Sequence, residues 1–290
     1  MISCQTPCMT ADPSASPPVD GTLLTVAPTG AEHDRAAVPA IASGPEELAS
    51  TAAACQAAGA AMIHVHARDE QHAPSLDPGL LRECVAAIRE ASDLVVQLST
   101  GGGVHDPFAA RLAVLDTAPD SCSLTLGTLN FGDDVFHNPW GFIQDLFLLA
   151  RERRVVPEFE VFDVGHLWTL RRLLDTHGLP FGEGVHVDLV LGVPGGLPGT
   201  PQALMAALAA FPPEVTTWSA TGVGRSHLPV MATALAAGGH ARVGIEDVTT
   251  FARGEKADNV RLVQRAAELA TLLQRPAMTP DQARRLLGTR

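Results

Sequence analysis

Residues 61–69 read Ala61-Met62-Ile63-His64-Val65-His66-Ala67-Arg68-Asp69. The stretch Ala61–Ala67 is a short apolar run with two histidines set into it, and it reads as a strand. Strand side chains alternate between faces, so His64 and His66 point one way and Val65 the other. Seven similar runs flank it: Leu23–Ala27, Leu94–Ser99, Ser121–Leu126, Glu158–Phe162, Val185–Leu191, Thr216–Ala220 and Ala241–Ile245. Between them lie helical patterns: 45–58, 77–90, 106–115, 139–153, 164–177, 201–210, 226–237 and 256–274, then a short last helix over 279–287. The first carries Ser43 and Gly44 as a cap signal and Glu46 and Glu47 in its first turn, where the helix dipole favours acids. Thr279 and Pro280 start the last one. Strict alternation of strand and helix implies a parallel sheet. Eight repeats in a chain of 290 residues predict an α/β fold of the closed (β/α)8 TIM-barrel type, with an open doubly wound sheet as the alternative.

Residues 1–20 are rich in Pro, Ser, Ala and Thr and are expected to be a flexible extension. They carry no basic start followed by an apolar run, so they do not read as a signal peptide. Residues 21–290 then form a single catalytic domain. Hydrophobic residues make up 46% of the chain and charged ones 18%, enough apolar matter for a large core. The formal net charge of −12 speaks against nucleic acid as a partner, because such proteins carry a basic face. No run approaches a membrane span. Five cysteines, an odd number without CxxC pairing, fit a reduced, cytoplasmic protein.

Two imidazoles on one strand face can share one ion, since metal–nitrogen bonds of ~2.0–2.1 Å are within reach of that spacing. Their place near the strand's C-terminal end puts them on the barrel face that carries chemistry. The competing reading is two histidines hydrogen-bonded inside the barrel. Strand eight runs into Glu246 and Asp247 and neighbours strand one, so Glu246 can complete a two-histidine, one-carboxylate site for a divalent metal such as zinc. The plainer reading of Glu246 and Asp247 is a helix cap and a solvated acid. His240 is a weaker ligand candidate at the strand's other end. Glu158 and Glu160 share one face of strand five, where a carboxylate needs a partner. Arg242 offers one, and a Glu160–Arg242–Asp247 chain in a dry mouth would tune a base. The glycines after Ser99 and Thr100 let backbone N–H groups approach an anion, and a flexible turn is the alternative. Ser123 and Thr125 on strand four are further candidate contacts. Gly222, Gly224 and Arg225, after strand seven, sit where this fold often binds phosphate.

Taken together, APTGAE (27–32), IHVHARD (63–69), QLSTGGG (97–103), GTLNFGDDVF (127–136), VPEFEVFD (156–163), LGVPGG (191–196), TGVGR (221–225), GGHARVGIED (238–247) and TPDQARRLLG (279–288) resemble the β-keto acid cleavage enzyme family. The resemblance runs from about residue 22 to the end. It implies zinc held by His64, His66 and Glu246. It also implies a reaction of a β-keto acid with acetyl-CoA that gives acetoacetate and a new acyl-CoA. Asp247 matches the base, Arg242 its charged partner and Glu160 the acid behind that pair. Ser99, Thr100 and Gly101 match the substrate-carboxylate loop. Glu32 matches a contact to the substrate's distal end and suggests a cationic tail. Homotetramers are usual in such a family. Ser123 stands where the family has threonine, and Asp163-Val164-Gly165-His166 departs from the family's segment there, which bears on the tail pocket. Two rivals are a metal-dependent barrel aldolase or isomerase that does not use CoA, and an inactive barrel kept as a binding protein.

Overall fold

In the computed structural model, the described residues are 20–289. The expected extension, with Cys4 and Cys8, therefore lies outside the described residues except for Asp20. Eight strands carry the fold: β1 (Leu24–Val26), β2 (Met62–Val65), β3 (Val95–Leu98), β4 (Ser121–Thr125), β5 (Val156–Val161), β6 (His186–Leu191), β7 (Thr217–Gly222) and β8 (His240–Val243). All neighbours are parallel, and β1 pairs with both β2 and β8, which closes the barrel. The open-sheet alternative is thereby excluded.

Helices α1 (Gly44–Ala57), α2 (Pro78–Ala91), α3 (Phe108–Ala113), α4 (Trp140–Arg153), α5 (Val164–His177), α6 (Pro201–Leu208), α7 (His227–Ala236) and α8 (Asn259–Leu272) follow the strands in turn. Every second strand residue faces them. Ile63, Val65, Val96 and Leu98 pack with α1, α2 and α8 in one buried cluster, and Leu124, Phe159, Val187 and Leu189 with α4 to α6 in another. Helix α9 (Pro280–Leu287) closes the barrel's N-terminal end, where Ala283 and Leu287 cover Leu23, Met62 and Val95. Its N-terminus is a reciprocal cap between Thr279 and Gln282.

Two hairpins were not expected. Leu129–Phe131 pairs antiparallel with Asp134–Phe136, and Thr250–Ala252 with Glu255–Lys256. The second displaces the start of α8 from Lys256 to Asn259, where the Asp258 carboxylate accepts from Arg261 N–H at 2.9 Å. Helix α3 is shorter than the pattern suggested, and a 3-10 turn over Val114–Thr117 completes it. Among the described residues no helix is long and apolar enough to cross a membrane.

The alternation that sends apolar side chains outward sends polar ones inward. Thr25, His64, Gln97, Ser121, Ser123, Thr125, Glu158, Glu160, His186, Asp188, Ser219, Thr221, His240 and Arg242 are all buried. Barrel interiors of this type are more often filled with Val, Ile and Leu. Buried polar groups demand partners. Their pairing defines the site.

Candidate active site

His64 lies on β2 and His66 just beyond it, while Glu246 follows β8 in the turn Gly244–Asp247. β1 separates the two, so the three side chains meet across it at the C-terminal mouth. Glu246 Oε1 lies 3.7 Å from His64 Nε2 and 3.6 Å from His66 Nε2. Among the described residues, this trio alone has the spacing of a metal-ligand cluster. Glycines make the approach possible. A Cβ on Gly244 would stand 2.0 Å from the Ala27 carbonyl, and one on Gly30 would stand 2.7 Å from Glu246 Cγ.

Burial lowers the His64 pKa to about 4, with Arg242 adding to the effect, so its imidazole is neutral. His64 Nδ1 faces Gln97 Oε1 at 2.5 Å, and Gln97 Nε2 donates to Ser121 Oγ at 3.1 Å. With Nδ1–H donating to Gln97, the Nε2 lone pair is left for the mouth. Burial opposes ionisation of Glu246, but Arg242, His66 and His64 outweigh it and hold the carboxyl well below its usual range. Glu246 Oε2 is buried without a partner. The neutral imidazole of His64, the ring of His66 and an ionised, half-unsatisfied carboxylate are a donor set that fits a divalent ion with open positions.

Arg242 stands beside this trio. Its Nε donates to Asp247 Oδ2 at 3.1 Å and its Nη2 to Asp247 Oδ1 at 3.0 Å, a two-point grip. Nη2 also donates to Glu246, and Nη1 lies 3.5 Å from Glu160 Oε1. The Thr125 hydroxyl donates to Glu160 Oε2 at 2.7 Å. Burial pushes Asp247 up to about 7 against the pull of Arg242, and does the same to Glu160. Burial alone would weaken the Arg242 charge, yet Asp247, Glu246 and Glu160 together hold it well above its usual basicity. The expected Glu160–Arg242–Asp247 chain is thus formed, with Glu246 as a fourth member.

A model of the beta-keto acid cleavage enzyme family matches residues 22–289. The chain belongs to this family. It is 37% identical over 270 residues to the 3-keto-5-aminohexanoate cleavage enzyme of Fusobacterium nucleatum, covering 92% of this chain and 97% of that one. It is 33% identical over 289 residues to the 3-dehydrocarnitine:acetyl-CoA trimethylamine transferase of Rhizobium meliloti, covering 91% and 95%. A third relative, at 31% over 274 residues with 92% and 94% covered, is the 3-oxoadipate:acetyl-CoA acetyltransferase of Cupriavidus necator. The solved apo structure of ObcA shares the fold, with a TM-score of 0.75 and 20% identity, over 86% of this chain and 65% of that one. This member of the β-keto acid cleavage enzyme family is accordingly an enzyme, which excludes the reading as an inactive binding barrel.

The remaining expected residues fall into two sets. Ser99, Thr100 and Gly101 are buried at the mouth after β3. Gly101 N–H donates to Ser99 Oγ at 3.1 Å, and the Thr100 hydroxyl donates to the Ser123 carbonyl at 2.6 Å. Thr100, Ser123 and Thr125 therefore brace their neighbours, since each side-chain oxygen has a protein partner. Glu32 is exposed on the loop after β1 and is not drawn into the trio. Gly222 is closed off from a ligand, because its Cβ would stand 2.6 Å from the Ser226 carbonyl and 2.8 Å from His227 Cα; it lets α7 pack on β7. The Gly224 N–H donates to the Asp247 carbonyl at 2.8 Å, and Arg225 is exposed. His240 accepts from Leu23 N–H at 3.0 Å at the barrel's other end, so it is not a ligand candidate.

Sequence reasoning passed over Gln97, Asp188 and Arg68. Gln97 stands directly across from His64 in register. Asp188 accepts from Ser219 and Thr221 hydroxyls, both at 2.7 Å. Arg68 donates to the carbonyls of Gly30, His33 and His72 at 2.7, 2.8 and 2.7 Å, fixing the loop that carries Gly30 against Glu246. The first two had a signal, an isolated polar residue at inward parity in an apolar strand.

Proposed function

We propose that this enzyme joins a β-keto acid to acetyl-CoA and releases acetoacetate and a new acyl-CoA, with zinc held by His64, His66 and Glu246. The grip of Arg242 on Asp247, directly beside the histidine–glutamate trio, is the observation that carries the reading. A divalent ion bound there supplies Lewis acidity that polarises the keto oxygen and eases loss of the neighbouring proton. The Ser99–Gly101 loop receives the substrate carboxylate. Asp247 takes the α-proton; its raised basicity suits a base working near neutral pH. Arg242 fixes both oxygens of Asp247, and Glu160, held by Thr125, steadies Arg242 from the far side. The freed α-carbon bonds to the acetyl carbonyl carbon and the CoA thiolate leaves. The thiolate then bonds to the former keto carbon, the bond from that carbon to the α-carbon breaks, and the α-carbon takes its proton back from Asp247. Atoms and protons balance without an outside acid or base.

The relatives' named substrates carry an amine, a quaternary ammonium or a second carboxylate at the tail. Glu32 favours the cationic tails for this chain. Arg225, an exposed cation on the loop after β7 of an acidic protein, is the CoA-phosphate contact in this reading, and Gly222 and Gly224 shape its turn. The buried, unpaired thiols of Cys55, Cys84 and Cys122 suit a cytoplasmic setting, and the homotetramer usual for the family is the expected assembly.

Asp247→Asn keeps the shape and removes the base. Its expected result is loss of acyl-CoA formation by at least a thousandfold with wild-type metal content. Turnover within tenfold of wild type would sink the role of Asp247. A panel of β-keto acids with acetyl-CoA, read by mass spectrometry of acyl-CoA products, tests the substrate. Product formation without acetyl-CoA would favour the aldolase rival.

A further inference from the structure

Arg111, on α3, is 2% exposed. It makes no ion pair among the described residues. Its guanidinium instead donates to three neutral oxygens: Nε to the Thr100 carbonyl at 2.7 Å, Nη1 to the His137 carbonyl at 2.9 Å and Nη2 to Asn138 Oδ1 at 2.5 Å. The Phe136 and Phe142 ring centroids stand 4.8 and 4.3 Å from its central carbon. Burial lowers its pKa to about 10, so it stays charged at neutral pH. A buried charge without a counter-ion is unfavourable unless something offsets it. Aromatic faces and carbonyl oxygens offset part of that here.

What the charge touches gives it a use. A peptide unit is planar and trans, so its C=O and the following N–H point in opposite directions. Arg111 pulls on the Thr100 carbonyl from behind the loop. The N–H of the same unit belongs to Gly101 and faces away from Arg111, towards Ser99 Oγ. Phe136, which stacks on Arg111, also limits this loop, since a Cβ on Gly101 would stand 3.3 Å from its ring. Asn138 carries the clamp on: its side chain donates to the Gly127 carbonyl at 3.3 Å and its N–H to Thr128 Oγ1 at 2.8 Å. One guanidinium therefore ties the loop after β3 to the segment after β4. Asp247, Glu246, Glu160 and Asp188 surround Arg242, so its charge is already shared among carboxylates when a substrate carboxylate arrives.

We propose that Arg111 is the positioning residue for the substrate carboxylate: it holds the Ser99–Gly101 loop in its anion-receiving shape and supplies the positive field behind it. This rests on the reading that the loop receives the carboxylate.

The test uses acetoacetate, itself the β-keto acid with the shortest tail, and isotope-labelled acetyl-CoA; exchange of the acetyl label between them reads turnover whatever the natural tail is. Arg111→Ala is expected to raise the KM for acetoacetate at least tenfold, with the KM for acetyl-CoA within twofold and metal content unchanged. Added guanidinium should lower the raised KM again. Arg111→Lys, which keeps the charge but cannot reach three oxygens at once, should fall between. An unchanged acetoacetate KM in R111A, or both KM values rising alike, overturns the proposal. Where R111A does not fold, R111K decides on the same split, and failure of both to fold makes Arg111 structural only and also overturns it. Ser99→Ala separates the two claims. A raised acetoacetate KM in S99A with none in the Arg111 variants defeats the Arg111 role alone, and no rise in any of them defeats the carboxylate-loop reading itself.

Discussion

Gln97 shows how one amide sets the chemistry of its neighbour. Its Oε1 fixes His64 Nδ1, so the ring cannot turn and its other nitrogen is committed to the mouth. Removing such a hydrogen-bond partner commonly weakens metal binding ~10–100-fold. Gln97→Leu, close in size, should weaken binding of the proposed zinc by that order, read by competition with a chelating dye; unchanged affinity would show that packing alone orients the ring. Glu160 supplies the pH signature. Burial lifts it from an ordinary 4.5 to about 7. The folded chain then binds more protons than the unfolded one across that interval, so the group's contribution is complete below about pH 4.5 and is lost as pH rises through 7. The metal-free protein should therefore lose stability as pH rises from about 4.5 to about 7, on the order of 3 kcal/mol from this group. In Glu160→Gln that slope should become shallower in thermal melts, the part due to Asp247 remaining, and an equal slope in both proteins would remove Glu160 as a source.

At the scale of elements, two glycines let the β1 and β8 ends come together. Gly30 has φ +64°, and Glu246 Cγ fills the place of its missing Cβ. Gly132, in the hairpin turn, has the same φ of +64° with nothing within 4 Å of such a Cβ. Gly30→Ala and Gly132→Ala thus carry equal backbone strain, about 1–2 kcal/mol. Only the first must displace Glu246, so only the first should weaken binding of the proposed zinc, by tenfold or more in the same dye titration. Equal affinity in the two variants would contradict the packing argument. Much of this level was legible in the sequence. Strand spacing gave the barrel, and the inward parity of His64, Glu160 and Arg242 brought them to one mouth. The first hairpin was hidden because Phe131-Gly132-Asp133-Asp134 sits inside a segment read only for its family resemblance, and the second because Lys256 continues the helical pattern of α8. Gln97 and Arg111 were hidden for another reason. A lone polar residue in an apolar run announces burial, but its partner lies on a different element, and no spacing within one element reveals it.

For the whole molecule, the proposed ion occupies a seam. β2 comes from the start of the chain and β8 from near its end, and they meet only through β1, a strand of three residues. The first and last quarters of the barrel are therefore joined by a short ladder, by α1 and α8 packed together outside it, by α9 at the bottom and by the His64–His66–Glu246 trio at the top. An ion bound to all three closes that seam from above. It binds the folded chain and not the unfolded one, which adds RT ln(1 + [L]/Kd), about 4 kcal/mol when the metal stands a thousandfold above its Kd. A chain of this size should then melt on the order of 5–10 °C lower after chelation. His64→Ala or Glu246→Ala should melt at the same temperature with and without chelator, because neither can close the seam. Cleavage by a protease in the chelated protein should begin near the β1 and β8 ends, in the loops 28–40 and 244–256, before it reaches the helices α4 to α6. Loss of metal with no change in melting temperature would mean that the ladder, the α1–α8 packing and α9 hold the seam, and that the trio serves chemistry without bearing on the fold.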